Sequence, residues 1–244
     1  ADIKTVTALG GYAATAITAL TAQDTKGVAA IMPVAPDFVA RQMRMTLDDI
    51  GADAIKTGML GEAGVIEAVA EVLAERPLRA PLVLDPVMIA KGGARLLQDD
   101  ALDALKRDLI PRAAVLTPNI PEAEALIGMD INDVADMQRA ASLLLTLGAE
   151  AVLLKGGHLP SDTVTDILAT QAGVESFASP RIPTRHTHGT GCTLASAVAV
   201  GLAQGMALKV AVLRARDYVQ RAIATAPGFG AGAGPLNHAH PLDR

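Results

Sequence analysis

Residues 186–193 read His-Thr-His-Gly-Thr-Gly-Cys-Thr and stand directly before a long alanine-rich run. Two glycines let the backbone approach an anion closely, and a helix starting there presents unpaired N–H groups with a partial positive charge. The chemistry on offer is a phosphate cradle centred on Gly189, Thr190 and Gly191. A glycine-rich turn packed at a helix start is the plainer account of the same residues, because such turns are common. Cys192 falls in the first turn of that helix, where the dipole favours thiolate, and a thiolate could take the proton of a substrate hydroxyl. A buried cysteine acting as a small hydrophobe is the commoner fate of a lone cysteine. A cysteine-nucleophile hydrolase is a third option, but no other segment carries a Cys/His hydrolase signature and GxSxG is absent.

The elements that must position these residues are short. Apolar runs at 12–20, 28–34, 53–57, 82–85, 113–117 and 151–155 read as central parallel strands covered on both faces. Segments of helical spacing at 37–50, 62–75, 98–110, 121–127 and 133–147 alternate with them. Past residue 155 the rhythm changes. Residues 164–170 and 174–178 flank the turn Gln171-Ala172-Gly173 as an antiparallel hairpin, and helices follow at 189–203 and 207–226, then a Gly/Ala/Pro loop at 227–235. The expectation is one three-layer α/β/α domain over residues 1–244 with a mostly parallel central sheet. Ligands in such sheets bind at the carboxyl ends of the strands. Gln23, Asp85, Asn119 and Lys155 stand at or just beyond such ends.

Composition narrows the field. Half the residues are hydrophobic, 19% are charged and the net charge is −5, so the chain has the makeup of a packed globular protein with no general attraction to nucleic acid. One cysteine forms no intramolecular disulfide, and a cytoplasmic location is the default. No apolar run approaches the roughly 20 residues of a membrane span. The histidine pairs 186/188 and 238/240 lack the partners of a known metal pattern.

The motifs together resemble the ribokinase-like vitamin kinases, and within them the hydroxymethylpyrimidine/phosphomethylpyrimidine kinase branch of thiamine biosynthesis. HTHGTGC at 186–192 is similar to that group's C-terminal signature, in which a catalytic base follows the glycines; it is usually Asp, and in this branch Cys, as at Cys192. TALTAQDTKGV at 18–28 resembles the pyrimidine-binding strand and loop, with Gln23 placed to pair with the ring. Its amide offers one donor and one acceptor to an aminopyrimidine edge. KTGML at 56–60 and LDPVMIAKGG at 84–93 put Met59 and Val87 in the substrate pocket, and LTPNIPEAEALIG at 116–128 carries N-x-x-E as Asn119 and Glu122. The resemblance associates that pair with Mg²⁺ and phosphate and sets Lys155 of VLLKGGH at 152–158 beside the ATP phosphates; Asp85, ending a predicted strand, could hold Mg²⁺ through water. GPLNHAH at 234–240 matches the family's ending.

Plainer roles exist for each residue taken alone. Gln23 could cap a strand, Met59 fill core, Asp85 form a turn before proline, Glu122 face a helix dipole and Lys155 snorkel from a strand end. The resemblance implies an ATP-dependent kinase of 4-amino-5-hydroxymethyl-2-methylpyrimidine and its monophosphate, using Mg²⁺ and assembling as a homodimer. Pyridoxal kinase of the same fold is the nearest alternative, and a silent module binding a vitamin precursor is one from another class. There is one departure. The family's opening strand and Gly-rich loop, of the form D-S-x-G-G-x-G-I-Q, lie immediately before the segment matching residues 1–5 and are not in this sequence. The expectation is therefore a sheet lacking that first strand and a pyrimidine site lacking one wall.

Overall fold

Period-two alternation along short apolar strands builds two cores on the faces of one sheet. The computed structural model describes residues 1–75, 79–88 and 99–242. In chain order its elements are α1 (Asp2–Ala8), β1 (Ala19–Gln23), β2 (Val28–Pro33), α2 (Pro36–Asp49), β3 (Ile55–Thr57), α3 (Ala63–Ala74), β4 (Leu82–Leu84) and α4 (Asp99–Ala104). They continue with β5 (Val115–Leu116), α5 (Ile120–Ile127), α6 (Val134–Leu145), β6 (Ala151–Leu154), β7 (Thr163–Thr170), β8 (Gly173–Pro180), α7 (Thr190–Ala203) and α8 (Leu208–Ala224).

The main sheet runs β3-β4-β5-β6-β7-β8, with the first four strands parallel and the last two antiparallel. Leu84, Leu116, Val152 and Leu154 face a core closed by α3, α4, α5 and α6. Val83, Val115, Ala151 and Leu153 face the other, against Val198 of α7 and Val212 and Tyr218 of α8. Helix α7 is buried from Thr193 to Gly201. Such a helix must be apolar and small all round, which its alanines and valines provide. At Gly201 a Cβ would come 2.6 Å from the Ala211 Cβ, so the close approach of α7 and α8 needs glycine.

The parallel order and the hairpin after β6 agree with the sequence reading, and so does α7 starting within the Gly-Thr-Gly segment, at Thr190. Two expected central strands do not. Residues 12–18 form no strand, and β1 and β2 pair antiparallel with each other in a separate two-stranded sheet. All but the first residue of each is exposed. The run counts as apolar largely through alanine and threonine, whose side chains bury too little area to hold a strand in a core. The expected helix at 98–110 splits into α4, a π-helical turn at Leu105–Leu109 and a 3-10 turn at Ile110–Arg112, where Pro111 interrupts the ladder; residue 98 lies outside the described residues. Among the described residues β3 and β8 are the edges of the main sheet.

Candidate active site

The glycine cradle forms as the local sequence dictates. Gly189 takes φ 81° as N-cap of α7, a left-handed conformation that a side chain would strain. The chain's last segment then fastens this helix start. His188 donates its backbone N–H to the Gly234 carbonyl at 3.1 Å, Thr193 Oγ1 lies 3.0 Å from His238 Nε2, and the Tyr218 hydroxyl donates to the His238 carbonyl at 2.7 Å.

His238 is a buried link in that fastening. Burial, together with the positive charge of Lys4, pushes its imidazole down to about 4. A depressed folded-state value means that only the unfolded chain gains a proton as pH falls below about 6.5. Stability from this group is therefore full above about 6.5 and declines between about 6.5 and 4, by up to about 3 kcal/mol. Thermal midpoints measured from pH 7.5 to 4.5 should fall for the native chain, and His238→Gln should flatten that slope.

The carboxyl ends of β3 to β6 bring together an alternating row of charges, as the parallel-sheet rule anticipates. Asp85, beyond β4, is almost fully buried and accepts from Lys155 Nζ at 2.7 Å and from Thr117 Oγ1 at 3.1 Å. Lys56 Nζ lies 3.9 Å from its other oxygen. Burial opposes ionisation of Asp85, but Lys155 and Lys56 outweigh it and hold the carboxyl below its ordinary value. Burial also works against the Lys155 charge, and Asp85 and Glu122 overcome it.

Asn119 and Glu122 close a reciprocal capping box on α5. The Glu122 N–H donates to Asn119 Oδ1 at 2.9 Å and the Asn119 N–H donates to Glu122 Oε2 at 2.8 Å. The N-x-x-E motif is thus first a local folding device. Burial raises Glu122 above the ordinary carboxylate range, partly offset by Lys155.

Cys192 is partly exposed and lines the same cavity as Lys56, Asp85 and Lys155. A Cβ placed on its neighbour Gly191 would come 3.1 Å from Lys155 Nζ, so cradle and lysine meet. Burial pushes the Cys192 thiol up, and Lys56 and Lys155 pull it down without cancelling the rise. The net direction is opposite to the expectation from the helix start alone: the desolvation of a cysteine set among β3, α1 and α7 exceeds the help of one helix dipole.

Gln23, Met59 and Val87 line this cavity of about 1540 Å³ as well, Gln23 from the exposed end of β1. Residues 89–93 of the segment containing Val87 lie outside the described residues. The Thr18 hydroxyl donates to the Met59 carbonyl at 2.6 Å, joining the start of β1 to the pocket wall. The β1–β2 turn is held from the other side by the loop after α8. Ala233 N–H donates to the Thr25 carbonyl at 2.7 Å and Gly232 N–H to Thr25 Oγ1 at 3.1 Å. A Cβ at Gly232 would stand 2.1 Å from that carbonyl oxygen. Gly232→Ala should therefore push the turn carrying Gln23 away, raising KM for the acceptor roughly tenfold with a smaller change in kcat; initial rates at varied acceptor concentration read the split.

Two site residues went unnoticed in the sequence. Lys56 is buried inside β3 and donates to Asp2 Oδ2 at 3.1 Å; Asp2 Oδ1 in turn accepts from Ser196 Oγ at 2.9 Å. A lysine inside a short apolar strand run was the available signal, since such a charge is rarely buried without a partner. Among the described residues, no three His, Cys, Asp or Glu side chains gather as a metal site. Mg²⁺ in phosphoryl transfer is commonly held by one or two carboxylates, substrate phosphates and water, and Asp85 with Glu122 beside Lys155 is a donor set of that kind.

A mostly parallel sheet with a glycine-rich helix start, and a lysine among carboxylates at the neighbouring strand ends, is the arrangement of the ribokinase-like small-molecule kinases. The family model described as phosphomethylpyrimidine kinase matches residues 1–237, and the chain belongs to that family. It is 45% identical, over 98% of its length and 87% of the relative's, to the hydroxymethylpyrimidine/phosphomethylpyrimidine kinase of Streptomyces coelicolor. It is 51% identical to the thiamine biosynthesis bifunctional protein ThiED of Geobacter sulfurreducens, covering 98% of this chain but only 48% of that longer protein. Among solved structures, an ADP complex of Bacillus subtilis pyridoxal kinase superposes with a TM-score of 0.90 at 35% identity, covering 99% of this chain and 92% of the other. No helix among the described residues is long and apolar enough to cross a membrane.

Proposed function

We propose that this chain, as one kinase domain, transfers the γ-phosphoryl group of ATP to the hydroxymethyl oxygen of 4-amino-5-hydroxymethyl-2-methylpyrimidine, and then to the phosphate of that product. The observation that carries the reading is the meeting of Lys155 with the Gly189–Gly191 helix start, across the cavity that also holds Cys192 and Gln23. In the first transfer the acceptor oxygen bonds to Pγ, the bond from Pγ to the ADP oxygen breaks, and the hydroxyl proton passes to the Cys192 thiolate. The amides of residues 189–191 and Lys155 take up charge on the transferring group. Gln23 orients the ring through its amide, with Met59 and Val87 against the ring faces. Asn119 and Glu122 border the nucleotide phosphates. Asp85 and Glu122 would hold Mg²⁺, which would supply further charge neutralisation there.

Thiamine biosynthesis in the cytoplasm is the setting this reading implies. A homodimer belongs to it too; the exposed Leu20, Ile31, Met32, Phe38 and Met45 around β1, β2 and α2 support pairing of copies there, and sedimentation velocity tests it. Anion-exchange analysis of products from the monophosphate with ATP tests the second transfer: diphosphate should accumulate with ADP one for one. ATP consumed with the alcohol but never with the monophosphate would reduce the activity to the first step. Pyridoxal is the second acceptor to weigh, because a pyridoxal kinase superposes so closely.

A further inference from the structure

The buried lysine of β3 has no part in the roles assigned above, yet it costs the fold a desolvated charge. Its surroundings are specific. Lys56, with a side chain only 9% exposed, lies 3.1 Å from Asp2 on α1 and 3.9 Å from Asp85 beyond β4. Asp2 is itself tied to α7 through Ser196, one helical turn after Cys192 and so on the same helix face. A Cβ on Gly58 would come 3.1 Å from Lys56 Nζ, so the open side of the following Gly leaves room for the ammonium against the helix start. The lysine is thus clamped by two carboxylates from different elements, one of them bound to the helix that carries the cysteine, and it lines the same cavity as that cysteine.

We infer that Lys56 is a positioning residue for phosphoryl transfer to an alcohol: pinned by Asp2 and Asp85, it places a fixed positive charge beside Cys192 that stabilises the thiolate receiving the hydroxyl proton. The inference rests on the proposed base role of Cys192. The charged groups facing that sulfur are Lys56 from β3, Lys155 beyond β6, Asp85 beyond β4 and Asp2 from α1, with Glu122 of α5 behind Lys155. The two cations favour the thiolate and the carboxylates oppose it. Lys155 is paired at 2.7 Å with the buried Asp85 and faces Glu122, whereas Lys56 lies 3.9 Å from Asp85 and has its closer contact, at 3.1 Å, with the half-exposed Asp2, whose charge water screens, so the field of Lys56 is the less cancelled of the two. Asp2 serves as the adjustable counterweight, since it is half exposed and holds Lys56 in place while opposing it.

Cys192 is the chain's only cysteine, so the pH dependence of its alkylation by iodoacetamide reads this one thiol. Lys56→Met should raise the alkylation midpoint by about one pH unit or more, and Lys56→Arg should keep it near that of the native chain. Asp2→Asn should lower the midpoint, and this holds even where Lys56→Met fails to fold. At neutral pH Lys56→Met should lose roughly tenfold in kcat with the alcohol, the loss recovering as pH rises, because one unit is tenfold in thiolate. A midpoint unmoved in folded Lys56→Met, or unmoved or raised in Asp2→Asn, overturns the inference. The base role fails separately. A shifted midpoint with full turnover in Cys192→Ala leaves Lys56 acting on the thiol but removes the thiol from the reaction.

Discussion

Lys155→Met is expected to lower kcat by roughly 10²- to 10³-fold and to destabilise the fold in the same step. The two losses have different origins. Turnover suffers because the cation nearest the Gly191 backbone is gone, and charge developing on the transferring group then meets only the helix-start amides. Stability suffers because Asp85 accepts from Lys155 at 2.7 Å while being almost fully buried, and among the described residues it keeps only Thr117 and the more distant Lys56. A buried carboxylate stripped of its partner costs on the order of 3–5 kcal/mol, and the remaining Lys56 sets the expectation at the lower end. Adding Asp85→Asn should recover much of the stability and none of the turnover. Denaturant midpoints and kcat measured on both variants separate the effects. Turnover near the native rate in folded Lys155→Met would remove this lysine from the reaction.

Cys192→Ala should split the two transfers. With the alcohol as acceptor, kcat should fall by roughly 10²-fold or more, because an alcohol keeps its proton unless a base receives it. With the monophosphate the loss should be small. A phosphate monoester has a second pKa near 6 and is already largely deprotonated at pH 7, so its attacking oxygen needs no base. A cysteine that only packs would slow both transfers alike. Because burial raises the thiol above its ordinary value, the rate with the alcohol in the native chain should climb as pH rises above neutrality, and that limb should vanish in the variant. Parallel pH–rate profiles with the two acceptors carry the test.

Much of this site was legible in the residues because its parts sit where local rules place them. Gly189 is needed for a left-handed N-cap, Asp85 and Lys155 end buried strands, and α7 begins where the alanines do. Gln23 and Met59, which the resemblance assigns to the substrate, both line the cavity. What could not be read depends on contacts far apart in the chain. Lys56 meets Asp2 across 54 positions, and Thr25 meets Gly232 across 207, with no local pattern announcing either. Residues 12–34 misled for another reason: the runs at 12–20 and 28–34 predict two central strands where the chain forms an exposed antiparallel pair, and the first of them is apolar largely through alanine and threonine. The capping box of Asn119 and Glu122 shows one motif serving local folding as well as bordering the cavity.

Measured side by side with ATP and Mg²⁺, kcat/KM for 4-amino-5-hydroxymethyl-2-methylpyrimidine should exceed that for pyridoxal by at least about tenfold, a discrimination of about 1.4 kcal/mol supplied by hydrogen bonds from Gln23 to the aminopyrimidine edge. A ratio at or below one would contradict the pyrimidine reading and make pyridoxal the acceptor this pocket selects.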